Sequence, residues 1–149
     1  MSIFIVRGPE GRGPLQHAAA PLPAAVMKSL VHRALDAGTS IAIRSCRCEQ
    51  ELIEALCAAD HSPGEVTLLA PGACVDSVQL QRLLPRLRNA YVEIHDDDGH
   101  AFDACLPASS GHRLGVAQGY RAQSYVLALE MALEHLCCNE VGNRVHVGT

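Results

Sequence analysis

The feature that most limits what this chain can fold into is a repeated change of hydrophobic period. Residues 2–6 (SIFIV), 40–44 (SIAIR), 66–70 (VTLLA) and 91–95 (YVEIH) are short runs of mostly apolar or β-branched residues. That pattern predicts strands buried in a sheet. Between them lie segments with helical spacing. Residues 24–37 carry Val26, Leu30, Val31 and Leu35 on one stripe before Gly38, and residues 49–59 carry Leu52, Ile53 and Leu56. Residues 78–87 predict a third helix, 113–117 a fifth strand, and 123–136 (QSYVLALEMALEHL) the strongest helix of the chain. Strand and helix alternating at spacings short enough for βαβ crossovers call for a parallel sheet of about five strands with helices on both faces.

Size and charge narrow the reading. The 149 residues suit one domain, 1–149, able to bury roughly 70% of its unfolded surface without metal or disulfide. With no Trp, two Phe and three Tyr, the core must be aliphatic. A net charge of −4 argues against a general nucleic-acid binder. No apolar run approaches the roughly 20 residues that span a membrane and no signal-peptide pattern opens the chain, so a cytoplasmic location is expected. Seven cysteines, an odd count without framework spacing, predict reduced thiols. Cys57, Cys137 and Cys138 lie in helical segments and read as small apolar residues.

In such sheets, sites form beyond the carboxyl ends of the strands. Here those ends are Arg7-Gly8, residues 45–48, residues 70–74 and residues 95–98. The first leads into residues 8–23, with three Gly and four Pro, an expected irregular loop long enough to be functional or mobile. The last sets His95 against Asp96, Asp97 and Asp98.

Read in order, these segment ends resemble the type II 3-dehydroquinate dehydratases over most of the chain. Val6-Arg7-Gly8-Pro9 stands where that family runs a strand into Asn-Gly-Pro-Asn. Glu49-Gln50-Glu51-Leu52-Ile53 looks like its Glu-Gly-Glu-Leu-Ile, and Leu69-Ala70-Pro71-Gly72-Ala73 like its Ile-Asn-Pro-Gly-Ala. Val92-Glu93-Ile94-His95 looks like its Val-Glu-Val-His, and residues 115–130 (GVAQGYRAQSYVLALE) match its glycine-to-helix segment. The resemblance implies a flavodoxin-like three-layer α/β fold and a homo-oligomer, a dodecamer built of trimers. It also implies an ancestral trans elimination of water from 3-dehydroquinate. In that family a loop tyrosine beside an arginine removes the α-proton and the histidine protonates the leaving hydroxyl.

Carried over residue by residue, the resemblance implies a catalytic role for His95, with Glu93 before it. The loop tyrosine has no counterpart, since Tyr91 is the first tyrosine, and the loop arginine has no convincing one. Of the positions expected to hold substrate, Glu10 and Ala70 replace asparagines, Asp76 stands near a histidine, and Phe102 stands where an arginine is expected. Asp96 and Asp97 occupy the segment that grips a carboxylate. Two unit charges about 4 Å apart repel by about 1 kcal/mol in water and about 4 kcal/mol at an effective dielectric of 20. Two or three carboxylates there, Asp98 included, are therefore expected to weaken binding of an anionic substrate by at least tens-fold. A missing base removes a further factor of roughly 10²–10⁴.

Three readings stay open at this stage. His95 acts as acid or base on a less anionic small molecule; or the chain is a non-catalytic homologue; or dehydration of 3-dehydroquinate survives with a substitute base such as Glu10 or His17. His95 could also be a histidine merely satisfied by Glu93 or an aspartate. No cofactor is expected, although Cys46, Cys48, Cys74, His95, Asp97 and His100 rim one crevice and are ligand types that zinc accepts. The alternative for the cysteines is space filling. Gly115 and Gly119 lack the rest of a phosphate-loop motif and read as close backbone packing.

Overall fold

A computed structural model describes residues 2–61, 65–96, 106–107 and 111–147, with side chains of the last helix described through residue 137. Five strands, β1 (Ser2–Arg7), β2 (Ser40–Ser45), β3 (Val66–Ala70), β4 (Ala90–Ile94) and β5 (Arg113–Ala117), form one sheet. Their order is β2-β1-β3-β4-β5, and every neighbouring pair is parallel. This is the flavodoxin-like order, in which the order of strand addition reverses between β1 and β3 and leaves a crevice there.

Strand composition follows position. Every residue of central β3 is buried, whereas β2, at the edge, alternates between exposed and half-buried. The two sheet faces take different helices. Ile3, Ile5, Leu68, Val92 and Ile94 pack on α1 (Ala24–Asp36) and α4 (Ser124–Val147) through Val26, Leu30, Tyr125 and Leu129. Val6, Leu69 and Tyr91 face α2 (Glu49–Ala59) and α3 (Val78–Leu83) through Leu52, Leu56 and Leu80.

Four expectations change. The third helix stops at Leu83 and tightens into a 3₁₀ turn, Leu84–Arg86, because Pro85 has no N–H to continue the ladder. Its start is sharp: the Ser77 hydroxyl accepts from the Leu80 N–H at 3.1 Å and also bonds Glu49. The last helix runs on to Val147 instead of ending near residue 136 in a tail. The loop after β1 is partly regular. It holds a 3₁₀ turn, Gly13–Leu15, and pairs Glu10 with His17 in an antiparallel bridge. Cys57 and Cys137 are exposed rather than packed. The Cys138 side chain lies outside the description.

The turns after β1 and β3 interlock. The Gly8 N–H donates to the Ala70 carbonyl at 2.6 Å, and the Ala73 N–H donates to that of Pro9 at 2.9 Å. A Cβ on Gly8 would sit 2.2 Å from the Pro71 oxygen, and Gly72 turns at φ +58°, so both positions require glycine. Gly115 lets α4 approach β5: a Cβ there would meet the Met131 methyl at 2.2 Å. No helix among the described residues is long and apolar enough to cross a membrane.

Candidate active site

Two polar clusters stand at the carboxyl end of the sheet, one on each face. The first is built on β4. Tyr91 and Glu93 share a face by strand alternation, and His95 follows on the same side. The His95 backbone is fixed by an N–H bond to the Ala117 carbonyl at 3.0 Å, which extends the β4–β5 ladder.

Glu93 is fully buried and takes three hydrogen bonds, from two side chains and one backbone group. Its Oε2 is bonded by His95 Nε2 and by the Leu106 N–H at 3.0 Å, and its Oε1 accepts from Arg113 Nη1 at 2.8 Å. The same Nη1 donates to the Leu106 carbonyl at 2.8 Å. Burial alone would push the Glu93 carboxyl up. The bonds from His95, Leu106 and Arg113, with the charge of His95, outweigh it and hold the group below its ordinary value. An ionised Glu93 holds Nε2 and so fixes the orientation of the imidazole. The His95 side chain is 11% exposed, enough to meet a small molecule from the crevice.

Arg113 reaches Glu93 because of a register shift. Tyr91 pairs with Arg113 but Val92 pairs with Gly115, an irregularity between Tyr91 and Val92. The extra residue, Leu114, moves Arg113 to the Tyr91 and Glu93 face, where plain alternation would not put it.

The second cluster is on the α1/α4 face. Arg7 ends β1 and is 5% exposed. Its Nε donates to the Tyr125 hydroxyl at 2.9 Å and its Nη1 to the Ala20 carbonyl at 2.7 Å, while its guanidinium lies 5.4 Å from the Tyr125 ring centre. Its Nη2 stands 3.8 Å from Asp96 Oδ2. Burial, joined by the Asp96 carboxylate, pushes the Tyr125 phenol up, against the pull of Arg7. The phenol therefore stays protonated and does not act as a base at neutral pH.

The predicted site residues divide accordingly. His95 and Glu93 are in direct contact. Asp96 belongs to the Arg7 cluster at the crevice mouth and is 37% exposed there. Glu10 is exposed and holds His17 at 3.6 Å, so two candidate substitute bases are spent on each other. Ala70 is buried and offers only a methyl group, its carbonyl being taken by Gly8. Asp76 is exposed beyond the turn after β3. Asp97, Asp98, His100 and Phe102 lie outside the described residues.

Cys46 and Cys74 are buried in the α2/α3 core, with Cys48 half-buried close enough to raise both thiols. Burial first, then Glu49 and Asp76, pushes Cys74 up to about 11, and burial also raises Cys46. Protonated thiols among apolar side chains are poor metal ligands. Among the described residues no three His, Cys, Asp or Glu are grouped to hold a metal ion.

Arg7, Arg113 and Tyr125 were not among the residues singled out from sequence. For Arg7 a signal existed: an arginine closing the apolar run SIFIV and entering a Gly-Pro turn has little choice but to lie at the sheet's end.

Geometry and sequence both point one way, and known proteins carry the assignment. The chain is 30% identical over 143 residues to a 3-dehydroquinate dehydratase of Shewanella denitrificans, covering 91% of this chain and 93% of the relative. It is also 30% identical over 145 residues to 3-dehydroquinate dehydratase 1 of Pseudomonas putida, covering 93% and 96%. The chain belongs to the type II 3-dehydroquinate dehydratase family.

Solved structures agree on the fold of this dehydroquinase homologue. The type II dehydroquinase of Propionibacterium acnes superposes with a TM-score of 0.66 at 18% identity over 89% of this chain and 98% of that one. That of Butyrivibrio crossotus gives 0.68 at 14% identity over 89% and 97%. A 3-dehydroquinate dehydratase-like protein of Bifidobacterium longum gives 0.58 at 16% over 92% and 98%. No family model matches the chain.

Proposed function

We propose that this dehydroquinase homologue keeps an acid–base histidine but is not an efficient 3-dehydroquinate dehydratase, and that His95 serves lyase-like chemistry on a less anionic small molecule. The observation that carries this reading is the contrast within the crevice. His95 is held by a buried, ionised Glu93 that Arg113 secures, which is the arrangement a proton-transfer group needs. Beside it, Asp96 adds negative charge to the mouth, where the Arg7 guanidinium at 3.8 Å and the Tyr125 hydroxyl meet it. That guanidinium is shared with Tyr125 and Ala20, so little of it is left for a substrate carboxylate. The loop after β1 supplies no tyrosine, and the two buried tyrosines nearby, Tyr91 and Tyr125, are both pushed up by burial and held protonated.

A second reading, that the chain binds without catalysing, is favoured by the loop alone. An enzyme of this ancestry needs that loop to close over its substrate. Here the loop is tied down by the Glu10–His17 bridge and by Arg7 on Ala20. The homo-oligomer, a trimer-based dodecamer, belongs to the same proposal, and a monomer mass by light scattering would reject it.

The deciding test is a 3-dehydroquinate assay at high protein concentration, following the ultraviolet absorbance of the conjugated enone, with His95→Ala alongside. The expected result is no His95-dependent turnover. Turnover that His95→Ala abolishes would mean the ancestral elimination survives with a substitute base and would overturn the proposal. A panel of neutral β-hydroxy ketones then separates altered chemistry from binding alone, since only the former gives elimination that depends on His95.

A further inference from the structure

The sheet has another opening, at the end opposite His95. It holds about 450 Å³ where β3, β4 and β5 begin, between Glu65, Arg88, Asn89, His112, Arg113 and His135. That volume suits a small molecule. Although the chain is net negative, this lining sets two guanidiniums and two imidazoles against one carboxylate.

The cations have capacity left. Arg113 gives only Nη1 to Glu93 and Leu106 among the described residues, leaving Nε and Nη2. Arg88 meets Asp60 through Nε at 3.7 Å and through Nη2 on the Asp60 carbonyl at 3.1 Å, which among the described residues leaves Nη1. Asp60 itself is directed mainly at the Arg88 and Asn89 backbone, accepting from those N–H groups at 3.0 and 2.9 Å. A guanidinium fork of this kind suits a carboxylate.

Glu65 adds an independent demand. Its Oε1 accepts from the Ser2 N–H at 3.2 Å, but its buried Oε2 has no hydrogen-bond partner among the described residues. A buried carboxylate oxygen without a donor is rare in folded proteins and calls for one. A ligand in the opening can supply it as a hydroxyl.

We propose that this opening binds a small hydroxycarboxylic acid, its carboxylate on Arg88 and Arg113 and its hydroxyl donating to Glu65 Oε2. The two demands sit on one cavity and are met by one molecule. The opening lies at the other end of the sheet from His95 and shares Arg113 with the Glu93 cluster.

The test is a titration of isotope-labelled full-length protein with racemic malate, and with succinate as the same diacid lacking the hydroxyl. The imidazole resonances of His112 and His135 report occupancy. Saturable shifts are expected with malate, and binding about ten-fold weaker with succinate, as for one lost charge-assisted hydrogen bond. Arg88→Ala is expected to weaken malate by about ten-fold, and Glu65→Gln to bring the two acids level. Arg113 is left intact because it also holds Glu93. Absence of saturable shifts up to about 50 mM malate overturns the site. Equal affinity for both acids in the unsubstituted protein overturns the hydroxy-acid assignment, and malate shifts unaffected by Arg88→Ala show a non-specific response and overturn it too.

Discussion

Arg113 and Arg7 are both arginines drawn into the same sheet, and they do opposite things to the crevice they border. Arg113 is committed to a carboxylate that water does not reach, and the product of that commitment is a fixed imidazole. Arg7 meets a carboxylate that is 37% exposed at 3.8 Å and spends its better hydrogen bonds on Tyr125 and the loop. One arginine organises a proton-transfer group. The other acts as a structural tie at the place where an anionic ligand would want it. The lesson is that buried charge alone does not mark chemistry; what matters is whether the partner it holds is turned toward the ligand.

The comparison breaks most visibly at Arg113. Arg113→Met leaves Glu93 buried and ionised without its guanidinium, and breaking such a pair costs about 3–5 kcal/mol. The measurement is the urea midpoint, at unchanged slope. Arg7→Met is expected to cost about 1–3 kcal/mol, because Asp96 can rehydrate while Tyr125 and Ala20 lose a donor. Amide exchange in residues 8–23 should quicken in that variant and remain unchanged in the first. Equal costs for the two substitutions would remove the contrast.

Glu93→Gln sharpens it through pH. Because the folded-state value of Glu93 lies below its unfolded value, its contribution is present above the unfolded carboxylate range near 4.3 and disappears as pH falls through the folded value. The unsubstituted protein should therefore lose stability faster than Glu93→Gln on acidification below about pH 5, in urea melts taken across that range. Parallel acid limbs would show that Glu93 is not held ionised. Smallest is Asp96→Asn, expected to change stability by less than about 1 kcal/mol as a part-exposed pair. Its signature is a gain of roughly ten-fold in affinity for small carboxylates at the crevice, measured by calorimetry.

The strands and most helices were legible because each strand is buried on two faces or near an aliphatic core, which writes an apolar run into the sequence. His95 and Glu93 were legible because they follow such a run and match a family pattern. Arg113 was not, because its face depends on the irregularity at Tyr91 and Val92, which alternation cannot foresee. The length of α4 was hidden by Gly142 and Asn143, residues that disfavour a helix interior yet lie inside this one. The tie between loop and sheet was hidden because an arginine beside a Gly-Pro turn reads as solvated, whereas Arg7 is buried.

The interlocked turns at Gly8 and Gly72 have a consequence for how such a crevice can change over generations. Its floor is bare main chain: a side chain at Gly8 would collide with Pro71, and one at Gly72 would come within 2.6 Å of the Pro9 oxygen. Neither position can acquire a new functional group without rebuilding both loops. Innovation is therefore channelled to the rim, to positions such as Glu10, Asp76 and Asp96, while the floor stays the same whatever the protein comes to bind.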